Sequence, residues 1–383
     1  MKQEHQTFVE ISIPNILHNI RALKGLLDNK VKFMAVVKAD AYGHGAVPVS
    51  KAIEKNVDYL AVATLSEAIE LKGAGIKAPI LLLSEIYPSS AAEVVKNGFI
   101  QTVYTLKLAK ALSNAAARFN KKARVHLKID TGMGRIGVNF SEAEGLFNAI
   151  SILPGLKIEG IFTHFAGAEE LDDFTSQQLK RFRSFISKID PAGYILHAAN
   201  SAALLYRKES HLDMVRVGLS MYGLYPPCLP AGRPAGHNCS VKLKPALEFK
   251  THVIYVKKVP AGTPLSYGST YKTRKGTTIA TLPVGYADGL PRALSNKGEV
   301  LIRGKRYPIV GRVCMDLTLI DLGDERPASP ASRQGGCETG DEVTLIGSQG
   351  KEMISADDVA KLSDTISYEV ICGIGKRVPR AYI

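Results

Sequence analysis

Lysine, histidine and arginine side chains recur in this chain where short apolar runs end. Lys38 closes the run KFMAVVK, Lys128 lies near the end of RVHLKID, and His164 follows IEGIFT. Asn200 follows YILHAA, and Arg216 sits in MVRVGL. Strand ends that face solvent are polar anyway, which accounts for Thr64 and Ser84 at two further run ends. It accounts poorly for an arginine, a histidine and two lysines, because in a barrel such ends converge on one mouth, and that face holds the active site. Barrels often bind phosphate after strands seven and eight. Ser201 follows the seventh apolar run, and Gly218 and Leu219 follow the eighth. A hydroxyl and backbone N–H groups at those places suit a phosphate.

The elements that must position these residues alternate. Eight apolar runs end near Lys38, Thr64, Ser84, Tyr104, Asp130, His164, Asn200 and Arg216. Helix-like stretches lie between them, such as LSEAIELKGAG, TLKLAKALSNAAARFN and TSQQLKRFRSFISKI. Strands alternating with helices predict a parallel sheet, and eight repeats predict a closed (β/α)8 TIM barrel, with a doubly wound open sheet as the structural alternative. After about residue 240 the pattern changes to short β-like runs separated by turn residues, including TTIATLPVGY and DEVTLIG. This predicts a C-terminal, mostly-β domain. The expected division is 9–240 for the barrel and 241–383 for the β domain, with 1–8 as a candidate addition to the latter. Two Pro/Gly-rich pieces, Pro226 to Gly236 and Arg326 to Gly336, read as loops.

Composition narrows the function. The chain has 383 residues, 45% of them apolar, and a net charge of +13. Its lysines and arginines are scattered and not interleaved with aromatics, so a basic surface is the better reading than nucleic-acid binding. No apolar run approaches the ~18 residues of a membrane span. The first ten residues lack the basic-then-apolar pattern of a secretory signal, and a cytoplasmic location is expected. Five cysteines at irregular spacing fit a reducing compartment. Neither they nor the histidines show metal-ligand spacing, and no metal is expected.

The segment Ala35-Val36-Val37-Lys38-Ala39-Asp40-Ala41-Tyr42-Gly43-His44-Gly45 resembles the cofactor-lysine motif of the alanine racemases. The resemblance continues along nearly the whole chain, through Lys128 to Gly137 (KIDTGMGRIG), His197 to Ser201 (HAANS), Val215 to Leu219 (VRVGL) and Ser266-Tyr267-Gly268. It then runs through Gly285 to Gly289 (GYADG), Gly311 to Asp316 (GRVCMD), Ile366 to Glu369 (ISYE) and Arg377 to Arg380 (RVPR). Each motif alone is a modest match; all of them in order are specific.

The resemblance implies that Lys38 carries pyridoxal 5′-phosphate (PLP) and handles the α-proton of the D-isomer, with Tyr267 handling that of the L-isomer. Two bases on opposite faces are the simpler design for inverting a carbon. An exposed lysine has a pKa near ~10.4 and a phenol near ~10, so each needs help from its surroundings to act as a base. The family places an arginine, at the position of Arg216, against the cofactor's pyridine nitrogen, and His164 matches a residue that supports it. Tyr42 and Tyr368 match hydroxyls at the phosphate, joining Ser201, Gly218 and Leu219. Arg135 matches an arginine near the substrate carboxylate, and Lys128 a lysine that is carbamylated in many members. Tyr286 matches a tyrosine at the entry to the site. In the family the tyrosine equivalent to Tyr267 reaches the partner subunit's cofactor, and Met315 and Asp316 match residues also supplied by the partner. A homodimer with shared sites is the expected form.

Asp40 and Val217 stand where many members have Asn and Pro, and Leu317 where Gln is common. The expected activity is interconversion of L- and D-alanine, supplying D-alanine for peptidoglycan. A broader or serine-active racemase would share most of these motifs. A barrel-type PLP decarboxylase would have a glutamate where Arg216 stands. A non-catalytic PLP-binding protein would lack the β domain.

Overall fold

The computed structural model describes residues 6–170, 173–226, 241–324 and 337–383. Beyond Pro226, the two Pro/Gly-rich loops, together with Cys228 and Cys239, lie outside the described residues. The chain divides into two compact units, 15–244 and 1–14 with 245–383.

The first unit is a closed barrel of eight parallel strands: β1 (Lys32–Val36), β2 (Tyr59–Val62), β3 (Ile80–Leu82), β4 (Ile100–Val103), β5 (Ala123–Asp130), β6 (Leu156–Phe162), β7 (Ile195–His197) and β8 (Met214–Val217). Each pairs with the next, and β8 returns to pair with β1, with Arg216 opposite Met34. Strands buried on both faces carry continuous apolar runs, which is why β1 to β3 read so clearly in the sequence. Helices Leu65–Gly73, Leu106–Phe119 and Phe174–Ile186 are among those that return the chain between strands. A further helix, Ile13–Lys24, precedes β1 and buries Ile16, Asn19, Ile20 and Leu23. Buried Asn19 donates from Nδ2 to Met221 O at 3.1 Å and to Lys244 O at 2.8 Å.

The barrel interior is polar along one line. Side chains two apart share a strand face, so Arg124, His126 and Lys128 of β5 point the same way. Pairing of β5 with β6 skips Glu159, which therefore forms a bulge. Glu159 accepts from Arg124 Nε at 2.6 Å and Nη2 at 2.7 Å, and from the Tyr59 hydroxyl at 3.0 Å. The next residue must be glycine, since a Cβ at Gly160 would lie 2.7 Å from His126 Cε1 and 2.9 Å from the Ile195 carbonyl.

The second unit is mostly strand. Its larger sheet runs Lys305–Pro308, Glu299–Ile302, Glu342–Gln349, Leu247–His252, Phe8–Ile11 and Arg380–Tyr382. A three-stranded sheet joins Tyr255–Val259, Thr277–Leu282 and Thr318–Gly323. Residues 9–14, grouped with the barrel on sequence, belong to this unit. Phe8–Ile11 is paired on both edges, antiparallel to Leu247–His252 and parallel to Arg380–Tyr382. Four residues of alternating burial carry no signal of which sheet they will join. Helices Ala356–Leu362 and Ser367–Cys372 complete the unit.

Gly160→Ala should destabilise the barrel by about 1–3 kcal/mol, because a backbone carbonyl and a buried ring cannot both yield to the added methyl. A denaturant midpoint equal to that of the parent would refute this account of the bulge.

Candidate active site

Lys38 lies two residues beyond the end of β1, after Val37, and is partly exposed. The chain then makes a left-handed turn: Ala39, Asp40, Ala41 and Tyr42 have φ of 52, 52, 53 and 55°. Left-handed helical backbone costs L-residues roughly 1–2 kcal/mol each, so four in succession must be held by their surroundings. Asp40 Oδ1 accepts from Ala46 N at 2.7 Å, and Glu67 Oε1 accepts from Ala39 N at 2.6 Å. Gly43 and Gly45, at φ 82 and 90°, let the chain leave the turn.

Arg216, 4% exposed, lies inside the barrel mouth over the Phe162 ring, 5.1 Å from its centroid. Nη1 donates to His197 Nδ1 at 2.8 Å. Nη2 donates to the carbonyls of Thr163 and Ala198, both at 2.8 Å, and to His164 Nδ1 at 3.1 Å. A guanidinium has only donors, so both histidines accept at Nδ1 and are neutral. Burial and the charge on Arg216 hold His164 and His197 well below the usual imidazole range. His197 then carries its proton on Nε2 and donates to His126 Nδ1 at 2.9 Å. His126 is fully buried, and burial pushes it down to about 4. Among the described residues its own Nε2 has no hydrogen-bond partner. Burial lowers Arg216 itself to about 9, so it remains charged at neutral pH.

Lys128 is 5% exposed, and its Nζ sits 5.4 Å from the Phe162 centroid. Burial, reinforced by Arg216, Arg135 and Lys38 and opposed by Asp130, pushes its amine down to about 7. The amine is therefore partly neutral at physiological pH, unlike a surface lysine. Arg135, exposed on the loop after β5, adds to this field.

Beyond β7 and β8 the backbone forms a cradle. Ser201 Oγ accepts from Gly218 N at 3.1 Å and from Ser220 N at 3.4 Å. A Cβ at Gly218 would fall 2.4 Å from the Tyr42 hydroxyl, so only glycine lets that hydroxyl close on the turn. The Ser220 hydroxyl, fully buried, has no partner among the described residues. Leu219 is buried. The residues brought together at this mouth are thus Lys38, Tyr42, Lys128, Arg135, His164, Ser201, Arg216, Gly218 and Leu219.

Tyr267, Tyr286, Met315, Asp316 and Tyr368 belong to the second unit. Tyr267 is 72% exposed and follows Ser266, which has a φ of 60°. Ser266 Oγ donates to Arg312 O at 2.6 Å and lies 3.4 Å from Cys314 Sγ. The Tyr286 and Met315 turns are joined: Tyr286 N donates to Cys314 O at 3.0 Å and Ala287 N to Met315 O at 3.1 Å. Arg377 ties them again, donating from Nε to Asp288 and from Nη2 to Asp316, both at 2.7 Å. Tyr368 is half-buried on the helix Ser367–Cys372. Sequence reasoning did not single out His126, His197, Glu67 or Arg377. His197 and Arg377 stand inside quoted motifs, and the period-two spacing of His126 and Lys128 was a signal for His126. Glu67 carried only the mark of a capping box, Thr64 with Glu67 three residues on.

A closed parallel barrel whose C-terminal rim presents an amine, a buried guanidinium and a cradle of amides and hydroxyls belongs to the barrel enzymes that hold an anionic group at that rim. The family follows from comparison. Residues 11–226 match the model of the alanine racemase N-terminal domain, and 246–382 that of the alanine racemase C-terminal domain. Alanine racemase 2 of Caldanaerobacter subterraneus subsp. tengcongensis is 47% identical over 383 residues, covering 98% of this chain and 95% of that protein. The alanine racemase of Halothermothrix orenii is 46% identical over 381 residues, covering 98% and 96%. Among solved structures, the alanine racemase of Clostridium difficile 630 superposes with a TM-score of 0.89 at 38% identity, covering 100% of this chain and 97% of that one. That of Bartonella henselae, with covalently bound pyridoxal phosphate, gives 0.84 at 28%, covering 99% and 100%. This chain belongs to the alanine racemase family.

The Lys128 amine titrates near 7 when folded and near ~10.4 when unfolded. Between these values the unfolded chain binds more protons, so stability should rise with pH from about 7 to about 10. Lys128→Met should flatten that rise, measured as melting temperature against pH; an equal slope in both proteins would place the proton elsewhere.

Proposed function

We infer that this chain interconverts L-alanine and D-alanine, with pyridoxal 5′-phosphate held at the barrel mouth by Lys38. The single observation that carries the cofactor reading is the buried, charged Arg216, held entirely by neutral acceptors beside a hydroxyl-and-amide cradle. The residues present fit the group. The Ser201 and Tyr42 hydroxyls and the Leu219 amide offer donors to a phosphate, the Gly218 and Ser220 amides orient the Ser201 hydroxyl by donating to it, and the Ser220 hydroxyl, without a partner among the described residues, lies beside them. We assign Tyr368 to the same phosphate. The four contacts on Arg216 use Nη1 and Nη2, so the guanidinium has a further N–H at Nε for the pyridine nitrogen.

When bound, pyridoxal phosphate supplies a conjugated ring that delocalises the electron pair left by α-proton removal. Lys38 takes or returns that proton on one face, and Tyr267 does so on the other. Arg216 would donate a hydrogen bond to the bound group's pyridine nitrogen without releasing its proton, a contact that would limit delocalisation and favour return of the proton to carbon over transamination. Arg135 binds the substrate carboxylate region, as do Met315 and Asp316. The neutral fraction of Lys128 can add to carbon dioxide with loss of a proton. The resulting carbamate is an anion beside Arg135, replacing repulsion by attraction. Tyr286 lines the entry.

The site is shared across a homodimer in this reading. Its support is that Tyr267, Tyr286, Met315 and Leu317 are all exposed on the second unit, a concentration of large apolar side chains suited to burial against a second copy. The D-alanine formed would supply peptidoglycan, and the cytoplasm is the expected compartment. Among the described residues no helix is long and apolar enough to cross a membrane.

In heavy water, L-alanine should yield D-alanine carrying α-deuterium, resolved by chiral chromatography and mass; alanine that stays L and undeuterated with the cofactor bound sinks the assignment. Lys38→Ala should abolish turnover, and Tyr267→Phe should reduce it by about 10²–10⁴-fold. Mixing these two inactive variants should restore about a quarter of parental activity: half the dimers are mixed, and each holds one complete site. No recovery on mixing would mean each site is built within one chain. Arg216→Glu should raise the yield of pyruvate relative to D-alanine, and an unchanged product ratio counts against the role given to Arg216.

A further inference from the structure

Resting on the reading of Lys38 as the reactive amine, we propose that Glu67 is a positioning residue that holds the left-handed turn behind it. Glu67 is the third residue of the helix Leu65–Gly73, whose N-cap is Thr64. One of its oxygens does what a capping carboxylate does: Oε2 accepts from Thr64 N at 3.0 Å and from Ala63 N at 2.8 Å. The other does not serve the helix. Oε1 accepts from Ala39 N at 2.6 Å, in a segment 28 residues earlier.

Ala39 is the first residue of the turn with a positive φ, and its N–H belongs to the peptide that joins it to Lys38. Ala39 is exposed, so water could satisfy this N–H; the carboxylate is not needed to prevent a buried, unpaired donor. What the carboxylate adds is direction. A water follows the peptide wherever it rotates, whereas Glu67 is anchored by its own helix and by two amides at the end of β2. The peptide after Lys38 is therefore fixed at the point where the backbone turns left-handed. At the far end of the turn Asp40 Oδ1 binds Ala46 N at 2.7 Å. Within it, Gly43 N donates to Ala39 O at 3.1 Å and Gly45 N to Asp40 O at 2.9 Å. Three of the four left-handed residues carry side chains no larger than aspartate, but none is glycine. Without the clamp the right-handed basin is open to Ala39, and moving into it swings Lys38 away from the mouth.

The test uses the full chain without cofactor. Pyridoxal phosphate is added, samples are reduced with borohydride at intervals, and label on the Lys38 peptide is followed by mass spectrometry. Glu67→Gln keeps the size but replaces one acceptor oxygen by an NH2 group. Glu67→Asp keeps the charge, and its shorter reach serves the helix cap at the expense of Ala39. Both should slow labelling of Lys38 about tenfold, the scale of one hydrogen bond to a charged group. Adding Ala39→Gly to either variant should bring the rate back to within about threefold of the parent, because glycine occupies the left-handed region without a clamp. Thr64→Ala, which weakens the cap alone, should lower the melting temperature and leave labelling unchanged. Parental labelling rates in a folded Glu67→Asp or Glu67→Gln protein overturn the clamp. A melting loss with slowed labelling that Ala39→Gly does not repair also overturns it, by making Glu67 a helix cap only. Parent protein that takes up no label at Lys38 overturns the reading of that lysine, and the proposal with it.

Discussion

A positive charge buried inside a barrel is expensive unless every donor finds an acceptor. At Arg216 both terminal nitrogens find acceptors, two carbonyls and two imidazoles, none of them charged. Its charge is therefore satisfied in hydrogen bonds and not neutralised. Burial, reinforced by that charge, sets the other groups at the mouth. His164 and His197 are kept neutral with their lone pairs turned to the guanidinium, and Lys128 is pushed down to about 7. A carboxylate in place of either histidine would pair the charge and remove the field that makes this mouth receptive to an anion.

The same arginine organises the barrel below it. Because His197 accepts from Arg216, its other nitrogen must donate, and His126 Nδ1 accepts that hydrogen bond. The bulge at Glu159 and the missing side chain at Gly160 make room for the His126 ring. The interior thus descends from cation through two neutral imidazoles toward the Arg124–Glu159–Tyr59 group.

Above it, position is secured by backbone rather than by packing. The left-handed turn after Lys38 and the glycine at 218 are both conformations or approaches that an ordinary sequence would avoid. The second unit uses the same means at its own turns. Ser266 adopts a positive φ, and Arg377 ties the Tyr286 turn to that of Met315 through two carboxylates. These strained and clamped segments carry Lys38, Tyr267, Tyr286 and Met315, whereas Lys128 and Arg216 stand on the strands themselves.

The barrel was legible in the sequence because parallel strands covered on both faces are largely apolar, and eight such runs recur with a polar residue at or near each end, even where buried Gln101, Thr102, His126 and Lys128 interrupt a run. Ser201, Gly218 and Arg216 could be placed at the rim by counting strands alone. Phe8–Ile11 could not be assigned to a sheet, since its partners lie some 240 and 370 positions away, and no local pattern encodes a choice between distant edges. The pairing of Glu67 with Ala39 and of His126 with His197 was likewise invisible: residue types reveal which groups can hydrogen-bond, but only closure of the barrel decides which ones meet. The sequence by itself determined the order of elements and the chemistry available at their ends. Tertiary structure alone decided the protonation states, because these depend on burial and on the charge of neighbours remote in the chain.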